Sequence, residues 1–260
     1  MLERVKVKVP FFIFAMAVLI VLVIVSKPSL SLNNQSMEEK IKVAVIIGGH
    51  DYDKKAFEEM WASFSDFSVE YFNYRVGECK FFDNPPSDKW DVVVFYNMNQ
   101  QLNRKQQKNF LEYLKQGRKM IFLHHAVSAF PKWEEFPKIL GGRYFLEDKT
   151  EWEGRTYPRS TYKHDVKVNI KVIEKEHPIT KDVGDFEEID EIYGNYYVSP
   201  SVKLLLATEH PESVPALAWI NGYLNGEILF IQPGHGPQVF SNPQYRKLIH
   251  NAVMWAVKEK

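Results

Sequence analysis

The chain has 260 residues, of which 45% are hydrophobic and 25% charged, a composition typical of a globular protein. Its 33 basic and 33 acidic residues balance, which argues against nucleic acid as a partner because neutralising phosphates needs a clustered basic excess. The single cysteine, Cys79, excludes an internal disulfide and a cysteine zinc cluster.

Residues 1–35 are predicted to be a signal peptide or membrane anchor that continues into a polar tether. Basic residues precede an unbroken apolar run, Phe11–Val25, and this order is typical of an export signal. The run is short for a full span of about 20 residues, so a cleaved signal and an uncleaved anchor are both left open. The basic start favours a folded domain outside the cytoplasm, in the periplasm or at the cell surface.

The rest of the chain, residues 41–258, predicts one α/β domain. Buried strands are predicted at Lys42–Ile47, Trp90–Tyr96 and Lys119–His125, with a weaker strand at Ser68–Tyr74. Amphipathic helices are predicted between them, at Lys54–Phe64 and Asn103–Gln116. This alternation predicts a three-layer, mostly parallel sheet flanked by helices, of the flavodoxin-like kind.

The second half of the domain predicts an antiparallel edge. Val166–Ile173 alternates between apolar and polar residues, as a half-exposed edge strand does. Three further strands are predicted at Val202–Thr208, Ala216–Ile220 and Glu227–Ile231, the last two joined by a hairpin.

Apolar residues at helical spacing predict two more helices, in Ala126–Gly142 and at Pro243–Val257. Arg143–His164 has no periodicity and is predicted to be a long loop or small insertion near the site. Phe186–Tyr197 is acidic and aromatic, and its pattern assigns it no element.

Three predicted strands lead into histidines: His50, the pair His124 and His125, and His235. In an open parallel sheet, ligands bind outside the carboxyl ends of the strands, so these side chains are expected on one rim. Imidazole serves as an acid or base near neutral pH, or as a ligand of a divalent metal.

The carboxylates expected beside these imidazoles are Asp51 and Glu191. Zinc bound by His50, His124 and His235 is left open, because no H-E-x-x-H spacing demands it. No G-x-S-x-G nucleophile elbow is present.

Eight short motifs in order carry a family resemblance over about residues 41–257. Among them are Val45–His50, Trp90–Val94, Phe122–Ala126, Asp190–Tyr193 and Gly234–Gly236. Through these motifs the chain resembles the ThuA-like (trehalose-utilisation) family, whose fold is similar to that of class I glutamine amidotransferases.

The resemblance implies a polar pocket whose catalytic candidates are His50, His124, Glu191 and His235. It also places His124 where an amidotransferase carries its nucleophilic cysteine. Glutamine hydrolysis through a thioester needs a thiolate, so the chain is not expected to be a glutamine amidotransferase.

Five further residues are candidates for substrate binding: Trp219, Tyr193, His125, Asp51 and His164. Trp219 is expected to serve either as a sugar platform or in packing. His164 matches only some members of the family. Strand alternation would point the side chain of His125 away from that of His124.

Because the family is associated with sugar metabolism, the first hypothesis is an exported enzyme acting on a glycoside or keto-sugar. It would hydrolyse, eliminate or isomerise, with His124 or His235 as the base, Glu191 as its partner and His50 as an orienting residue or ligand. A non-catalytic sugar-binding module and an interaction scaffold on the same fold are the alternatives. Homo-oligomerisation is left open.

Overall fold

A nine-stranded mixed sheet organises the chain in the computed structural model, which describes residues 39–84 and 88–257. The predicted export signal or anchor at residues 1–35 lies outside the described residues. Within the described part of the chain, no helix is long and apolar enough to cross a membrane.

The elements, in chain order, are as follows. The first strands and helices are β1 (Ile41–Gly48), α1 (Lys54–Ala62), β2 (Phe67–Asn73), β3 (Val92–Asn97), α2 (Arg104–Lys115), β4 (Lys119–Leu123), α3 (Phe136–Leu140), β5 (Gly142–Arg143), β6 (Thr150–Trp152) and β7 (Arg155–Tyr157). The remainder are β8 (Thr161–Val172), β9 (Phe186–Gly194), β10 (Tyr197–Val198), β11 (Lys203–Ala207), β12 (Ala216–Tyr223), β13 (Gly226–Ile231), α4 (Pro237–Ser241) and α5 (Pro243–Ala256).

The sheet has a parallel half and an antiparallel half. Its strand order is β2-β1-β3-β4-β13-β12-β11-β8-β9, and the first five strands run parallel. From β13 onward each neighbouring pair is antiparallel. The predicted mostly parallel sheet with an antiparallel edge is therefore confirmed.

Apolar side chains cover both faces of the sheet, which makes the fold three-layered. One core lies under α1, α4 and α5, and the other under α2 and α3. Every residue of β3 is buried, as expected for a parallel strand covered on both faces. The buried Cys79 belongs to the second core, where Phe95 stacks on Phe122 at a centroid distance of 4.3 Å.

The predicted edge was wrong by one strand. The acidic stretch with no assigned element forms β9, which is the outermost strand, while β8 pairs with β11 on one side and β9 on the other. The segment Arg143–His164, predicted to be a long loop or a small insertion, contains the β6–β7 hairpin and the beginning of β8.

One strand boundary and one helix boundary also differ from the prediction. Strand β4 ends at Leu123, and His124–Ser128 form a 3₁₀ turn rather than continuing the strand. The helix predicted within Ala126–Gly142 is reduced to the single turn and a half of α3, which ends at Gly141 in the left-handed conformation.

Candidate functional site

His124 lies at the junction of β4 and the 3₁₀ turn, and it is completely buried. Its backbone φ of +54° is a left-handed conformation that costs a non-glycine residue about 1–2 kcal/mol. Its Nδ1 lies 2.6 Å from the carbonyl oxygen of Gln232. Because a carbonyl only accepts, Nδ1 carries the proton, and in the neutral ring Nε2 presents a lone pair.

Three polar groups surround Nε2 of His124. The Oε2 atom of Glu191 lies 3.0 Å away and Nδ1 of His235 lies 3.2 Å away. The hydroxyl of Tyr193 is 2.8 Å from both His124 Nε2 and Glu191 Oε2. Two residues apart on β9, Glu191 and Tyr193 share one face of the strand, which explains why both reach the tip of β4.

The loop after β13 holds His235 in place. Both carboxylate oxygens of Asp190 accept backbone hydrogen bonds, at 2.8 Å from the Gly234 N–H and 2.9 Å from the His235 N–H. Gly234 has a φ of +145°, and a Cβ there would lie 2.7 Å from the hydroxyl oxygen of Tyr245. The loop therefore requires glycine at this position.

Electrostatics favour a charged pair between His124 and Glu191 in the metal-free protein. Burial alone would lower the pKa of His124, but the hydrogen bond to Glu191 and the charges of Asp190 and Glu191 raise it. Burial opposes the charge of Glu191 too, yet His124, Tyr193 and His235 lower its pKa to about 2. For His235, burial and the charge of His124 lower the pKa to about 4.

His50 and His125 form a stacked pair beside this group, with ring centroids 4.9 Å apart and planes 12° apart. The Nε2 of buried His125 is 3.2 Å from the carbonyl oxygen of Tyr96, and its Nδ1 has no partner among the described residues. The alternation argument for His125 was wrong, because the chain leaves the strand geometry after Leu123. His125 therefore faces the site together with His50.

A cavity of about 240 Å³ opens at this edge of the sheet. Its walls include five of the predicted residues: His50, His125, His164, Glu191 and Tyr193. His124 is fully buried behind this wall, and the side chain of His235 is 25% exposed.

His164 reaches the cavity because of an irregularity in β8. Its Nδ1 is 3.4 Å from Glu191 Oε1, and its ring centroid is 4.9 Å from that of His235. The pairing of β8 with β9 shifts register between Lys163 and Val166, which leaves one extra residue in β8. This bulge turns His164 towards the site while Val166 faces the core.

Two predicted substrate-binding residues lie outside the cavity. The fully buried Trp219 donates from Nε1 to the carbonyl oxygen of Leu140 at 2.8 Å and packs against Phe230. Of the two roles left open for Trp219, its burial fits core packing and not a sugar platform. The exposed side chain of Asp51 borders a neighbouring surface pocket, because the chain turns outward after Gly49, and its carbonyl oxygen accepts a hydrogen bond from His50 Nδ1.

Seven further residues line the cavity: Met98, Val127, Ser128, Tyr144, Leu146, Arg159 and Tyr162. The last four belong to the segment that was predicted to be a long loop or small insertion near the site, so its position was expected but its individual residues were not. The role of Asp190 as a clamp was also missed, although the residue belongs to a recognised motif. The available signal was its position next to Glu191 in the chain. Adjacent residues of a strand point to opposite faces, so Asp190 and Glu191 would have separate roles.

Three atoms of the site have the spacing of metal ligands. His124 Nε2, Glu191 Oε2 and His235 Nδ1 are separated by 3.0, 3.2 and 3.5 Å. Zinc binds nitrogen and oxygen at about 2.0–2.1 Å, so two ligands of a tetrahedral zinc lie about 3.3 Å apart. The donor set fits zinc, and the bond from His124 Nδ1 to a carbonyl is the outer contact that orients a ligating imidazole. His50, a predicted ligand, lies outside this group.

Solved structures support the fold. A putative ThuA-like protein from Parabacteroides merdae superposes with a TM-score of 0.69 at 17% identity, covering 85% of this chain and 92% of that one. A second, from Bacteroides uniformis, gives 0.60 at 19% identity with the same coverage, 85% and 92%. PurLQS from Thermotoga maritima gives 0.54 at 11% identity, covering 83% of this chain and 99% of that one.

The fold and site define an α/β protein of the class I glutamine amidotransferase-like architecture, with a histidine and glutamate cluster at the strand tip. The chain belongs to the ThuA family, described as trehalose utilisation, whose family model matches residues 42–256. No curated protein matches the chain. Membership of this family is consistent with a sugar-related function.

Proposed function

We propose that this chain is an exported enzyme that acts on a glycoside or keto-sugar by acid–base chemistry assisted by a divalent metal, with zinc as the best fit. The observation that supports it most is the triangle of His124 Nε2, Glu191 Oε2 and His235 Nδ1, with sides of 3.0, 3.2 and 3.5 Å. This buried cluster lies beside a cavity large enough for a sugar, so the reactive groups and the substrate would be next to each other.

The burial of each group suggests its role. His124 is completely buried, so it acts on substrate only indirectly, as an oriented ligand. His164 lines the cavity, with 49% of its side chain exposed, and lies within reach of Glu191. We assign His164 the exchange of a proton with the sugar, since imidazole is the side chain that most often serves as a general acid or base. A bound divalent ion would supply polarisation of a sugar carbonyl or hydroxyl oxygen.

Metal binding by the purified chain tests the first half of the proposal. We expect calorimetry to show one zinc ion bound per chain, and His235→Ala to weaken binding more than about a hundredfold, since even outer-contact partners cost 10–100-fold. His210→Ala, outside the cluster, is the matched control and should bind as the wild type does. Equal zinc affinity in His235→Ala and wild type would disprove this site.

Turnover tests the second half. The zinc-loaded chain is expected to convert 3-keto-glycosides, and His164→Ala to lower kcat about 10²–10⁴-fold, the contribution of one acid–base group. Saturable binding of these sugars without product would contradict catalysis and favour the sugar-binding module instead. Equal rates in both proteins would remove His164 from the mechanism.

The proposal includes export, with the basic residues and the apolar run of residues 1–35 as its basis. The chain would then meet a small carbohydrate outside the cytoplasm, either free or held at the membrane through its N-terminal segment.

A further inference from the structure

Arg159 brings a positive charge to the mouth of the cavity. Its side chain is exposed, lines the cavity, and makes no ion pair with any described residue.

Among the described residues that line the cavity, no carboxylate forms an ion pair with Arg159. Glu191 is the one carboxylate among its lining residues in the described part of the chain. Both of its oxygens are engaged, Oε2 with His124 and Tyr193 and Oε1 with His164. With Glu191 engaged, the guanidinium gives the opening a positive charge that a neutral sugar would leave uncompensated.

The backbone around Arg159 is fixed, although the side chain is exposed. Its N–H donates to Asp148 Oδ1 at 3.2 Å. The next residue, Ser160, is buried, accepts from the Phe145 N–H at 2.9 Å and donates to the Asn195 carbonyl oxygen at 3.0 Å. A fixed backbone lowers the entropy lost when the guanidinium binds a ligand.

The charge of Arg159 reaches the interior of the cavity. Burial and the charge of Glu191 raise the pKa of Tyr144 to about 12, and Arg159 opposes this rise. Tyr144 is a lining residue, so the guanidinium acts on the space where a ligand would lie.

An exposed aromatic ring lines the same cavity as Arg159. Tyr162 is 62% exposed, lines the cavity, and pairs with Tyr193 across the β8–β9 ladder. Directly paired residues lie on the same face of a sheet, so the ring is presented on the cavity side. It offers the platform for a sugar ring that the buried Trp219 does not.

We infer that the substrate is an acidic sugar, a uronate, whose carboxylate binds the guanidinium of Arg159 while its ring packs on Tyr162. The inference rests on the proposed function and narrows its substrate class. A planar guanidinium matches a carboxylate with two parallel hydrogen bonds, which a neutral hydroxymethyl group does not provide.

D-Glucuronate and D-glucose are suitable probes because they share one ring and differ at the carboxylate. We expect the full, zinc-loaded chain to bind glucuronate about tenfold more tightly than glucose, the effect of one charge-assisted contact. Arg159→Gln should abolish this preference. Arg155→Gln, an exposed arginine four residues away that does not line the cavity, should retain it.

A preference that survives Arg159→Gln would overturn the inference, because the carboxylate would then be bound elsewhere, for example by the ion. Equal binding of the two sugars by the wild type would also overturn it, while leaving the proposed sugar function standing. Failure to bind glucuronate at all would overturn the inference too. The proposed function would still be tested separately, by turnover of neutral keto-glycosides.

The role of Tyr162 is tested with the same sugars. Tyr162→Ala should weaken glucuronate and glucose by the same factor, about five- to tenfold, because it removes ring contact and leaves the charge of Arg159. Tyr162→Phe keeps the ring and should bind both as the wild type does. Unchanged binding in Tyr162→Ala would remove the platform from the inference.

Discussion

At the residue scale, the site depends on a buried charge that its neighbours stabilise. Glu191 is almost fully buried, and burial alone would favour its neutral form. The hydrogen bonds from His124 and Tyr193 outweigh this cost. The proton shared within the cluster holds it together, and the same lone pairs would serve a metal ion if one bound.

Glu191→Gln is expected to flatten the acid limb of stability in the metal-free protein. The pKa of Glu191 falls from an unfolded value of 4.5 to about 2, so its stabilisation is present above pH 4.5 and is lost as the pH falls towards 2. The raised pKa of His124 acts oppositely, and its contribution is present below pH 6.5 and is lost as the pH rises.

Urea unfolding between pH 2 and pH 7 measures this effect. Wild type should lose up to about 3 kcal/mol more than Glu191→Gln over the acid range. Glu187→Gln is the control, an exposed glutamate of the same strand that pairs with Lys167. An identical acid slope in Glu191→Gln and wild type would contradict the charged pair.

The sequence identified the residues of the cluster, but it did not show which candidate side chains are buried and which face the cavity. His50, His124 and His235 follow strands, so the topology alone brought them together. Whether a ring contacts a ligand or packs depends on burial, and a single sequence gives no measure of that for His124 or Trp219. Arg159 escaped notice because an isolated arginine in an aperiodic segment has no distinguishing pattern.

At the element scale, the bulge in β8 decides which residues reach the cavity. Strict alternation would place Tyr162 and His164 on the same face as Val166, which packs in the core. The extra residue at the register shift reverses this for the part of the strand before it. Asp165, with φ of +55°, takes up the change of direction.

Asp165→Val is expected to favour simple alternation, because a β-branched residue resists the positive φ of the bulge, and so to move both side chains away from the cavity. The affinity of the zinc-loaded chain for glucuronate should fall by at least about tenfold, because the platform is lost. Asp165→Gly keeps the bulge, since glycine adopts positive φ readily, and should bind as the wild type does. Calorimetry measures the affinity, and unfolding midpoints confirm that both variants are folded.

Retained affinity in Asp165→Val would show that the bulge does not orient the site. Because residues 161–165 are all exposed, the substitution removes little buried surface and a large loss of stability is not expected.

At the scale of the whole molecule, the site lies where the parallel half of the sheet meets residues from the antiparallel half. The parallel half was predictable because β1, β3 and β4 are continuous apolar runs buried on both faces. Strand β9 was not, since polar residues of the site replace the apolar ones that would have revealed its alternation. The polar residues that form the site therefore hid the strand pattern of β9 from the sequence analysis.

Export is a prediction about the whole chain. Residues 1–40 fused to alkaline phosphatase, which folds only outside the reducing cytoplasm because it needs disulfides, should give an active enzyme. Leu19→Arg, in the middle of the apolar run, should lower this activity strongly, because a charge at that position opposes insertion. Equal activity from a fusion lacking residues 1–35 would contradict an export signal.

The burial of the single cysteine has a practical consequence. The side chain of Cys79 is 1% exposed, and burial raises the pKa of its thiol to about 12, so the native chain offers no thiolate to a labelling reagent. Leu146→Cys would therefore create one reactive thiol at the mouth of the cavity without prior removal of the native one. A fluorophore attached there would report ligand arrival as a change in emission, in a protein whose core remains wild type.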